Sequence, residues 1–571
     1  MIQRRLLAGV SAAVVCLTVG AAQAAHLDNM IVFGDSLSDG GRLFAITAGT
    51  QPASPPYFNG RFSNGPVWVE LLPAKLGFDY NFATNFAVGG AESGTGGPVG
   101  VATQVNTLAA ATPVTASSLV VVWAGANDVL NKLATTPPTT LVGSMVTNIA
   151  TAVGTSAARG GRNFLVPNLP DLGKTPGGAA TGQGFNLGAV TQIYNNALAT
   201  QMSSMEASTG ARITVMDTFG LFSDVLTNPS LYGIANTSIP CLSTTGPTGA
   251  CATAAAADGA LFWDPIHPSA TAHAVLANFA AATIDQDING SKVAAVTSFL
   301  APQILDNVRQ NVNDRLNVLR LTNDRERSTL PSGVYGAIKY GTGDRDAGPG
   351  VVGFEYDMTG FTFGYDYVLN DSFVVGAQVS YITADADMDA GRGKVDADSY
   401  GFATYIGYRQ GGIWVDLSGA GSWEKYDIDR ATGFTQRALA EGKTNGNSYY
   451  VALDAGANLV ASSNLAAGPF VGVRYIAADI DAYTETGAAM FNLDVDSQKN
   501  TGAIGAIGLQ VAGKYASGGT AITPHLRVSY EKELDKLSHT VSATSLVGQT
   551  RTATGGTGND DWILVGAGLN V

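Results

Sequence analysis

A serine near the start of the chain has a setting in which a side chain can be held rigidly and still face solvent. Ser36 follows an apolar run that ends at Phe33, and polar residues come after it, so we expect it at a turn between a buried strand and a helix. A serine hydroxyl is a weak nucleophile at neutral pH unless a general base lies within hydrogen-bond reach. Considered alone, the stretch Ile31–Asp39 favours a plain turn with a capping residue, so its chemistry depends on what the rest of the chain supplies.

The chain has five histidines, and His267 is the best candidate for that base. Asp264 lies three residues before it, and Pro265 and Pro268 stiffen the segment. An Asp-x-x-His turn can hold the carboxylate against one imidazole nitrogen, which leaves the other nitrogen to take the serine proton. A surface turn with only a local Asp–His contact is an equally good interpretation of this segment alone.

The other histidines are weaker candidates. His273 follows in an Ala-rich helical segment, where we expect it to be structural or exposed. A metal site of Asp264, His267 and His273 is a distant alternative, because a spacing of six residues puts the two histidines on different helix faces. The remaining histidines lie at the predicted mature N-terminus or in the C-terminal part of the chain: His26, His525 and His539.

If Ser36 attacks a carbonyl group in an acyl-transfer reaction, an oxyanion forms that hydrogen-bond donors must stabilise. Two segments offer such donors. Asn85–Ala91 contains the pair Gly89 and Gly90, where the lack of a Cβ lets backbone N–H groups approach a ligand closely. The segment Gly125–Asp128 directly follows the predicted strand Leu119–Trp123, and the amide of its Asn127 could donate a hydrogen bond. Taken one at a time, the two segments are better explained as a glycine turn and a strand exit.

Apolar runs alternate with Ala-rich helical segments over residues 25–285. This order predicts an α/β domain with a parallel sheet covered by helices on both faces. The predicted strands and the two clearest helices are Met30–Phe33, Leu119–Trp123, Asn163–Val166, Ile213–Met216, Val142–Ala157 and Ala189–Ala207.

These motifs, taken together and in this order, resemble the GDSL, or SGNH, hydrolase family. The blocks are Gly-Asp-Ser-Leu, Asn-Phe-Ala-Val-Gly-Gly-Ala, Gly-Ala-Asn-Asp, Val-Pro-Asn-Leu-Pro-Asp-Leu-Gly and Asp-Pro-Ile-His. The resemblance implies Ser36 as the nucleophile, His267 as the base and Asp264 as its orienter. It also implies an oxyanion hole formed by the backbone N–H of Ser36, the N–H of Gly90 and the Asn127 side chain. Gly89 competes with Gly90, and the family pattern favours the second glycine of the pair.

The composition excludes some classes of protein. A chain of 571 residues is too long for one ordinary core, so we expect at least two domains. The net charge of −14 argues against nucleic acid as a partner. A charged fraction of 14% with 70 glycines fits an exported or outer-membrane protein better than a cytosolic enzyme.

The first residues and the cysteines agree with export. Residues 1–24 have two arginines, an apolar run and a small-x-small site ending at Ala24, which predicts a secretory signal peptide. Cys16 lies inside it. Cys241 and Cys251 are close in sequence and are expected to form a disulfide in an oxidising compartment; two free thiols are the alternative.

The C-terminal half has two further textures. Over residues 286–330, apolar residues recur at a spacing of three to four between polar and charged residues, which predicts an amphipathic helix. Over residues 331–571 we count about twelve alternating segments of roughly ten residues, separated by Gly, Asp and Asn turns, which is typical of a transmembrane β-barrel. A soluble β domain is the alternative. The last segment has the parity of a barrel strand, although Val571 is not the aromatic residue with which such strands usually end.

The whole order of signal, α/β domain, helix and barrel resembles a GDSL-type autotransporter esterase or lipase. The resemblance implies that the helix passes through the barrel lumen and that the α/β domain is a passenger at the cell surface, anchored in the outer membrane. The expected partners are an ester or lipid-like substrate, outer-membrane lipid and the barrel assembly machinery, with no metal or cofactor. The alternatives are another GDSL activity (phospholipase, thioesterase or glycan deacetylase), a non-catalytic adhesin-like passenger, or a barrel that acts as a pore.

Overall fold

The structure, a computed structural model, describes residues 27–243, 245–320, 333–462, 464–517, 520–556 and 561–570. The predicted signal peptide, Cys16, His26, the last ten residues of the predicted lumen helix and Val571 lie outside these ranges. The described chain contains an α/β domain, a long helical segment and a large antiparallel sheet. The predicted fold class is therefore confirmed.

The α/β domain is built on a four-stranded parallel sheet of order β1-β2-β3-β4. The strands are β1 Asn29–Gly34, β2 Ser118–Trp123, β3 Asn163–Pro167 and β4 Arg212–Met216. Each strand is a nearly continuous apolar run and is buried almost throughout, as a parallel sheet covered on both faces requires. The four predicted strands are confirmed to within a residue or two.

Helices and one small hairpin surround this sheet. The helices are α1 Arg42–Ile46, α2 Trp68–Leu76, α3 Val101–Thr103, α4 Ala126–Lys132, α5 Pro138–Ala158, α6 Pro176–Ala180, α7 Gly184–Thr209, α8 Thr218–Thr227, α9 Ala254–Asp258 and α10 Ala270–Ala294; the hairpin strands are β5 Leu242–Ser243 and β6 Gly246–Pro247. Helix α5 is long and apolar enough to cross a membrane by length and composition. Its apolar face nevertheless packs into the core of the α/β domain, so it is a domain helix.

A second long helix, α11 Val296–Arg320, follows α10 after a single residue. The predicted boundary between residues 285 and 286 falls inside α10, so the helix that enters the barrel begins about ten residues later than expected. Helix α11 packs against strands all around the antiparallel sheet. The apolar residues that define its predicted amphipathic pattern are buried: Leu305, Val308, Val312, Leu316 and Leu319.

Polar side chains of α11 meet polar side chains on the inner wall of the sheet. Arg315 Nε donates to Asp366 Oδ2 at 2.6 Å, and Asn311 Nδ2 donates to Thr362 Oγ1 at 2.9 Å. A helix with charged residues can therefore lie at membrane depth, because the wall supplies partners for those charges.

The antiparallel sheet has 15 strands within the described residues, some of them short segments in the connections. They are β7 Gly333–Arg345, β8 Phe354–Val368, β9 Phe373–Met388, β10 Gly393–Gln410, β11 Ile413–Ala431, β12 Leu439–Ala457, β13 Val460–Ala461, β14 Leu465–Ile480, β15 Tyr483–Thr484, β16 Leu493–Val495, β17 Gln498–Gly513, β18 Tyr515–Ser517, β19 Thr520–Ser545, β20 Thr550–Gly556 and β21 Asp561–Asn570. The Arg345 side chain at the end of β7 donates to the carbonyl of Gly556 at the end of β20, at 2.7 Å. The two ends of the sheet thus meet around α11.

Side chains alternate along the barrel strands as the sequence predicts. On β8, Phe361, Phe363 and Tyr365 are about half exposed and point outward, whereas Thr362 and Asp366 are buried inside. An apolar outer face and a polar inner face are what a barrel in lipid requires.

The α/β domain rests on one rim of the barrel. Four connections reach it: residues 389–392 between β9 and β10, residues 432–438 between β11 and β12, residues 481–497 between β14 and β17, and residues 546–549 between β19 and β20. Gln549 completes the edge strand β4, because its side-chain amide accepts from the Val215 N–H at 2.7 Å and donates to the Ile213 carbonyl at 2.6 Å. The open edge of the passenger sheet is thereby capped by the barrel.

Candidate active site

Ser36 lies just after β1, where the turn is fixed by hydrogen bonds on both sides. The Gln104 side chain accepts from Gly34 N–H at 2.9 Å and donates to Gly34 O at 2.8 Å. After the turn, Asp35 Oδ1 accepts the N–H of Leu37 at 3.0 Å. A Cβ at Gly34 would lie 2.8 Å from the carbonyl of Trp123 on the neighbouring strand, so the close pairing of β1 and β2 at this point needs glycine.

The structure brings together the three residues of the predicted triad. Ser36 Oγ lies 2.8 Å from His267 Nε2, although the two residues are 231 positions apart. His267 Nδ1 lies 2.6 Å from Asp264 Oδ2, and the other carboxylate oxygen accepts the backbone N–H groups of Ile266 and His267 at 2.9 and 2.8 Å. With the Nδ1 proton donated to Asp264, Nε2 is free to accept the hydroxyl proton of Ser36.

The environment of Asp264 keeps its charge. Burial alone would raise the pKa of this carboxyl, but the charge and hydrogen bond of His267, a hydrogen bond from Tyr57 and the backbone N–H of Ile266 outweigh burial and hold the pKa below its usual range. The side chain is therefore ionised at neutral pH. An ionised carboxylate beside Nδ1 orients the imidazole and stabilises the imidazolium formed when it takes a proton.

The geometry around Gly89 and Gly90 distinguishes between the two glycines. The N–H of Gly89 donates to Asp39 Oδ2 at 2.8 Å, and a Cβ on Gly89 would run into the ring of Phe62. Gly90 has φ of +77°, which favours glycine, and its N–H has no protein acceptor among the described residues. The same holds for the N–H of Ser36. These two N–H groups are thus available to an oxyanion, whereas that of Gly89 is already bound.

Asn127, at the start of α4, is the third predicted donor. Its Nδ2 donates to the carbonyl of Ala91 at 3.0 Å and lies 3.4 Å from Asp35 Oδ2. Asp35 is fully buried, and burial raises the pKa of its carboxyl to about 6. The second proton of the Asn127 amide can turn from this weak contact to an oxyanion, because 3.4 Å is long for a hydrogen bond.

Replacing Asn127 by alanine is expected to lower kcat for ester hydrolysis by about 10²–10³-fold, because one oxyanion donor is lost. The measurement is steady-state hydrolysis of p-nitrophenyl butyrate. Asn131→Ala is the matched control, since Asn131 lies one turn further along α4 and contacts Glu92 instead. A decrease in kcat of less than tenfold for Asn127→Ala would contradict the role of Asn127 as an oxyanion donor.

Tyr57 belongs to this site although no sequence motif marks it. Its hydroxyl donates to Asp264 Oδ2 at 2.6 Å, the same oxygen that receives His267 Nδ1. Burial and the Asp264 carboxylate raise the pKa of Tyr57 above its ordinary value, so it remains a donor. The ring of Phe62 packs against the imidazole of His267 with centroids 4.9 Å apart, and it also packs edge-on against Tyr57. This segment therefore covers the Asp264–His267 pair.

Replacing Tyr57 by phenylalanine is expected to shift the acidic limb of the kcat/KM profile to higher pH. Without the hydrogen bond from the phenol, more of the negative charge of the Asp264 carboxylate remains available to His267. The carboxylate then stabilises the protonated imidazole more strongly. The plateau should fall by less than about tenfold, because the triad contacts themselves remain. The measurement is kcat/KM against pH, and an unchanged acidic limb would show that Tyr57 only packs.

Two further carboxylates support the site from behind. Asp39 accepts the N–H groups of Gly41 and Gly89 and so joins α1 to the glycine pair. Asp128 accepts the N–H and hydroxyl of Ser93 at 2.7 and 2.9 Å, which fixes the chain after Gly90. Burial raises the pKa of both carboxyls, and the backbone donors act in the opposite direction.

His273 lies apart from the triad, inside the domain. It is fully buried, and its Nδ1 accepts the backbone N–H of Trp68 at 3.3 Å. Burial lowers the pKa of His273 to about 3, so it is neutral at physiological pH. Of the two expectations for this residue, the structural one agrees with this position. Within the described ranges, no group of three His, Cys, Asp or Glu residues is placed to hold a metal ion.

Cys241 and Cys251 are joined by a disulfide, with their Cα atoms 5.1 Å apart. The N–H groups of Cys241 and Leu242 donate to the carbonyls of Phe262 and Trp263, at 3.2 and 2.8 Å. The bridged loop therefore braces the segment that leads directly into Asp264.

An apolar groove opens at Ser36 and His267. Its walls come from α4, α8 and the segment after it, α10 and the loops before α6 and before His267. They include Leu130, Leu172, Leu221, Phe222, Val225, Tyr232, Leu261, Phe262, Ile266 and Val275. A groove of this composition suits the hydrocarbon part of a substrate.

Two family models match the chain over separate ranges. Residues 30–280 match the family described as GDSL-like Lipase/Acylhydrolase, and residues 334–571 match the one described as Autotransporter beta-domain.

Individual relatives cover from about half of the chain to nearly all of it. A phosphatidylcholine-sterol acyltransferase from Aeromonas hydrophila is 28% identical over 48% of this chain and 94% of its own length. An uncharacterised protein from the trpE-trpG intergenic region of Pseudomonas putida is 26% identical over 95% of both chains. Esterase EstA from Pseudomonas aeruginosa is 25% identical over 72% of this chain and 63% of its own length.

Proposed function

We propose that this chain is a cell-surface serine esterase or lipase, because residues 30–280 match the GDSL-like lipases and acylhydrolases and residues 334–571 match the autotransporter β-domains. The barrel anchors the enzyme in the outer membrane, and the α/β domain performs the hydrolysis outside the cell. Carboxylic esters with an aryl, short- to medium-chain or lipid-like acyl group are the proposed substrates. The apolar groove beside Ser36 supports this substrate class.

The observation that carries the proposal is the relay from Asp264 through His267 to Ser36, with contacts of 2.6 and 2.8 Å. Nothing in the fold alone requires a buried serine, imidazole and carboxylate in line. Such a relay activates a hydroxyl that would otherwise be unreactive.

In the proposed mechanism, Ser36 Oγ attacks the carbonyl carbon of the ester while its proton passes to His267 Nε2. The oxyanion is held by the N–H groups of Ser36 and Gly90 and by the Asn127 amide. His267 then gives the proton to the leaving alcohol, which breaks the ester bond and leaves an acyl group on Ser36. Water attacks this acyl-enzyme, its proton passing to His267 and then back to Ser36, and the carboxylic acid leaves.

The test is labelling by a fluorophosphonate, which reacts only with an activated serine. Intact cells that produce the full chain should become labelled, and peptide mapping should place the label on Ser36. The same cells should hydrolyse p-nitrophenyl esters of graded chain length. A folded protein that neither takes the label nor hydrolyses any ester would contradict the proposal and favour an adhesin-like passenger.

The other activities of this family are separated by the substrate panel. Phospholipid, acyl thioester and acetylated glycan are assayed beside the p-nitrophenyl esters. If the kcat/KM for any of these substrates exceeds the kcat/KM for every p-nitrophenyl ester, the assignment changes to a phospholipase, thioesterase or glycan deacetylase with the same site.

A further inference from the structure

One connection of the barrel reaches the wall of the apolar groove. Tyr232 lines the groove, and its hydroxyl donates to Asp224 of helix α8. From the barrel, Arg437 donates to both carboxylate oxygens of Asp224, Nε to Oδ2 at 3.0 Å and Nη2 to Oδ1 at 2.6 Å. Arg437, in the connection between β11 and β12, thus fixes the carboxylate of Asp224, and this carboxylate in turn fixes the hydroxyl of Tyr232.

A buried aromatic side chain of the same connection packs behind Tyr232. Phe434 is fully buried, and its ring centroid lies 6.2 Å from that of Tyr232. Phe279 of α10 and Phe491 of a neighbouring barrel connection enclose it at 5.6 and 5.4 Å. The barrel side chains Phe434 and Phe491 therefore belong to the same apolar core as the passenger sheet.

Helix α8 carries the effect along the groove. Leu221, Phe222 and Val225 line the groove and lie on the same helix as Asp224. A contact that fixes Asp224 therefore also fixes the positions of these three side chains along the groove. Burial alone would raise the pKa of Asp224, but hydrogen bonds from Arg437, Tyr232 and Asn228 outweigh it and hold the pKa below its usual range. The carboxylate stays charged, and it keeps its bidentate arginine.

A second arginine joins barrel and passenger but does not touch the groove. Arg551 pairs with Asp287 at 2.6 Å and with Glu206 at 2.7 Å. Neither of these carboxylates lines the groove, and neither does Arg551. The two arginines therefore separate two tasks, docking the passenger and shaping the groove.

We propose that the barrel connection carrying Phe434 and Arg437 is a positioning element of the enzyme. It shapes the apolar groove through Tyr232 and helix α8. The acyl-chain preference of the passenger is then set in part by the domain that anchors it. This inference rests on the proposed function, because it concerns the groove of the same site.

The test compares Arg437→Ala with Arg551→Ala in full-length protein in isolated outer membranes. Active sites are counted by fluorophosphonate titration, so that misfolded protein does not enter the rates. We expect Arg437→Ala to lower kcat/KM for p-nitrophenyl decanoate about tenfold relative to p-nitrophenyl acetate, mainly through KM, because acetate has no chain to contact the groove wall. Arg437→Lys, which keeps the charge, should recover part of the decanoate activity, and Arg551→Ala should leave the ratio unchanged.

Two results would overturn the inference. One is an Arg437→Ala variant in which acetate and decanoate hydrolysis fall in parallel, and the other is an Arg551→Ala variant with the same change in ratio. If Arg437→Ala does not assemble, Phe434→Leu gives the same comparison, since it keeps an apolar side chain but withdraws the ring from Tyr232. A wild-type protein that takes no label would instead overturn the proposed function itself, and this inference with it.

Discussion

Replacing Ser36 by alanine is expected to lower kcat for ester hydrolysis by about 10⁶-fold, the largest effect of any single change in this protein. The hydroxyl at 2.8 Å from His267 Nε2 supplies the atom that forms the acyl-enzyme, and no neighbouring side chain can replace it. The measurement is hydrolysis of p-nitrophenyl butyrate by outer membranes that contain equal amounts of folded barrel. Fluorophosphonate labelling should disappear as well.

Ser38→Ala is the matched control for this experiment. Ser38 is also buried in the same turn, but its hydroxyl accepts from the indole N–H of Trp68 at 3.2 Å and does not contact His267. Its loss should reduce stability by about 1 kcal/mol and leave labelling intact. Turnover by Ser36→Ala at more than a small fraction of the wild-type rate would show that another group is the nucleophile.

Replacing Asp264 by asparagine is expected to lower kcat by about 10⁴-fold while leaving the fold of the segment intact. An amide oxygen can still accept the N–H groups of Ile266 and His267, so the turn remains. The amide cannot stabilise an imidazolium, and an NH₂ group facing Nδ1 would favour the tautomer whose proton lies on Nε2. In that tautomer His267 cannot take the proton of Ser36.

The dependence of stability and activity on pH also tests the charge of Asp264. Its pKa is depressed, so the stability that the charged carboxylate contributes is present above the unfolded value near 3.8 and is lost only as pH falls through the lower folded value. Around neutral pH the wild-type carboxylate does not titrate, and the acidic limb of the activity should not come from it. Asp258→Asn, at an exposed residue away from the site, is the control. An Asp264→Asn variant within tenfold of the wild type would contradict the assignment.

The elements that carry the chemistry could be predicted from local sequence. The β1 strand and the turn after it follow from an apolar run that ends in Gly-Asp-Ser, and the Asp264–His267 pair follows from two residues three positions apart. Patterns of this kind are local, since burial and turn chemistry act on neighbouring residues. The barrel was predictable for the same reason, because alternation along one strand records which side chains face lipid.

The choice between Gly89 and Gly90 needed more than the family pattern. Both glycines stand in the same pair, and only the fold shows that Asp39, fifty residues earlier, occupies the N–H of Gly89. Likewise Tyr57 lies 207 residues from Asp264, in a proline-rich stretch without regular pattern, and nothing along the chain indicates their hydrogen bond.

The sequence by itself determined the strand, the turn and the residue types of the catalytic relay, because each depends on residues close together in the chain. The tertiary structure decided which N–H groups are free for an oxyanion, which phenol supports Asp264 and which barrel arginine braces the groove. Arg437 and Asp224 are 213 residues apart, in domains of different architecture. Contacts of this kind depend on how the passenger seats on the barrel rim, and that placement results from the packing of the whole chain.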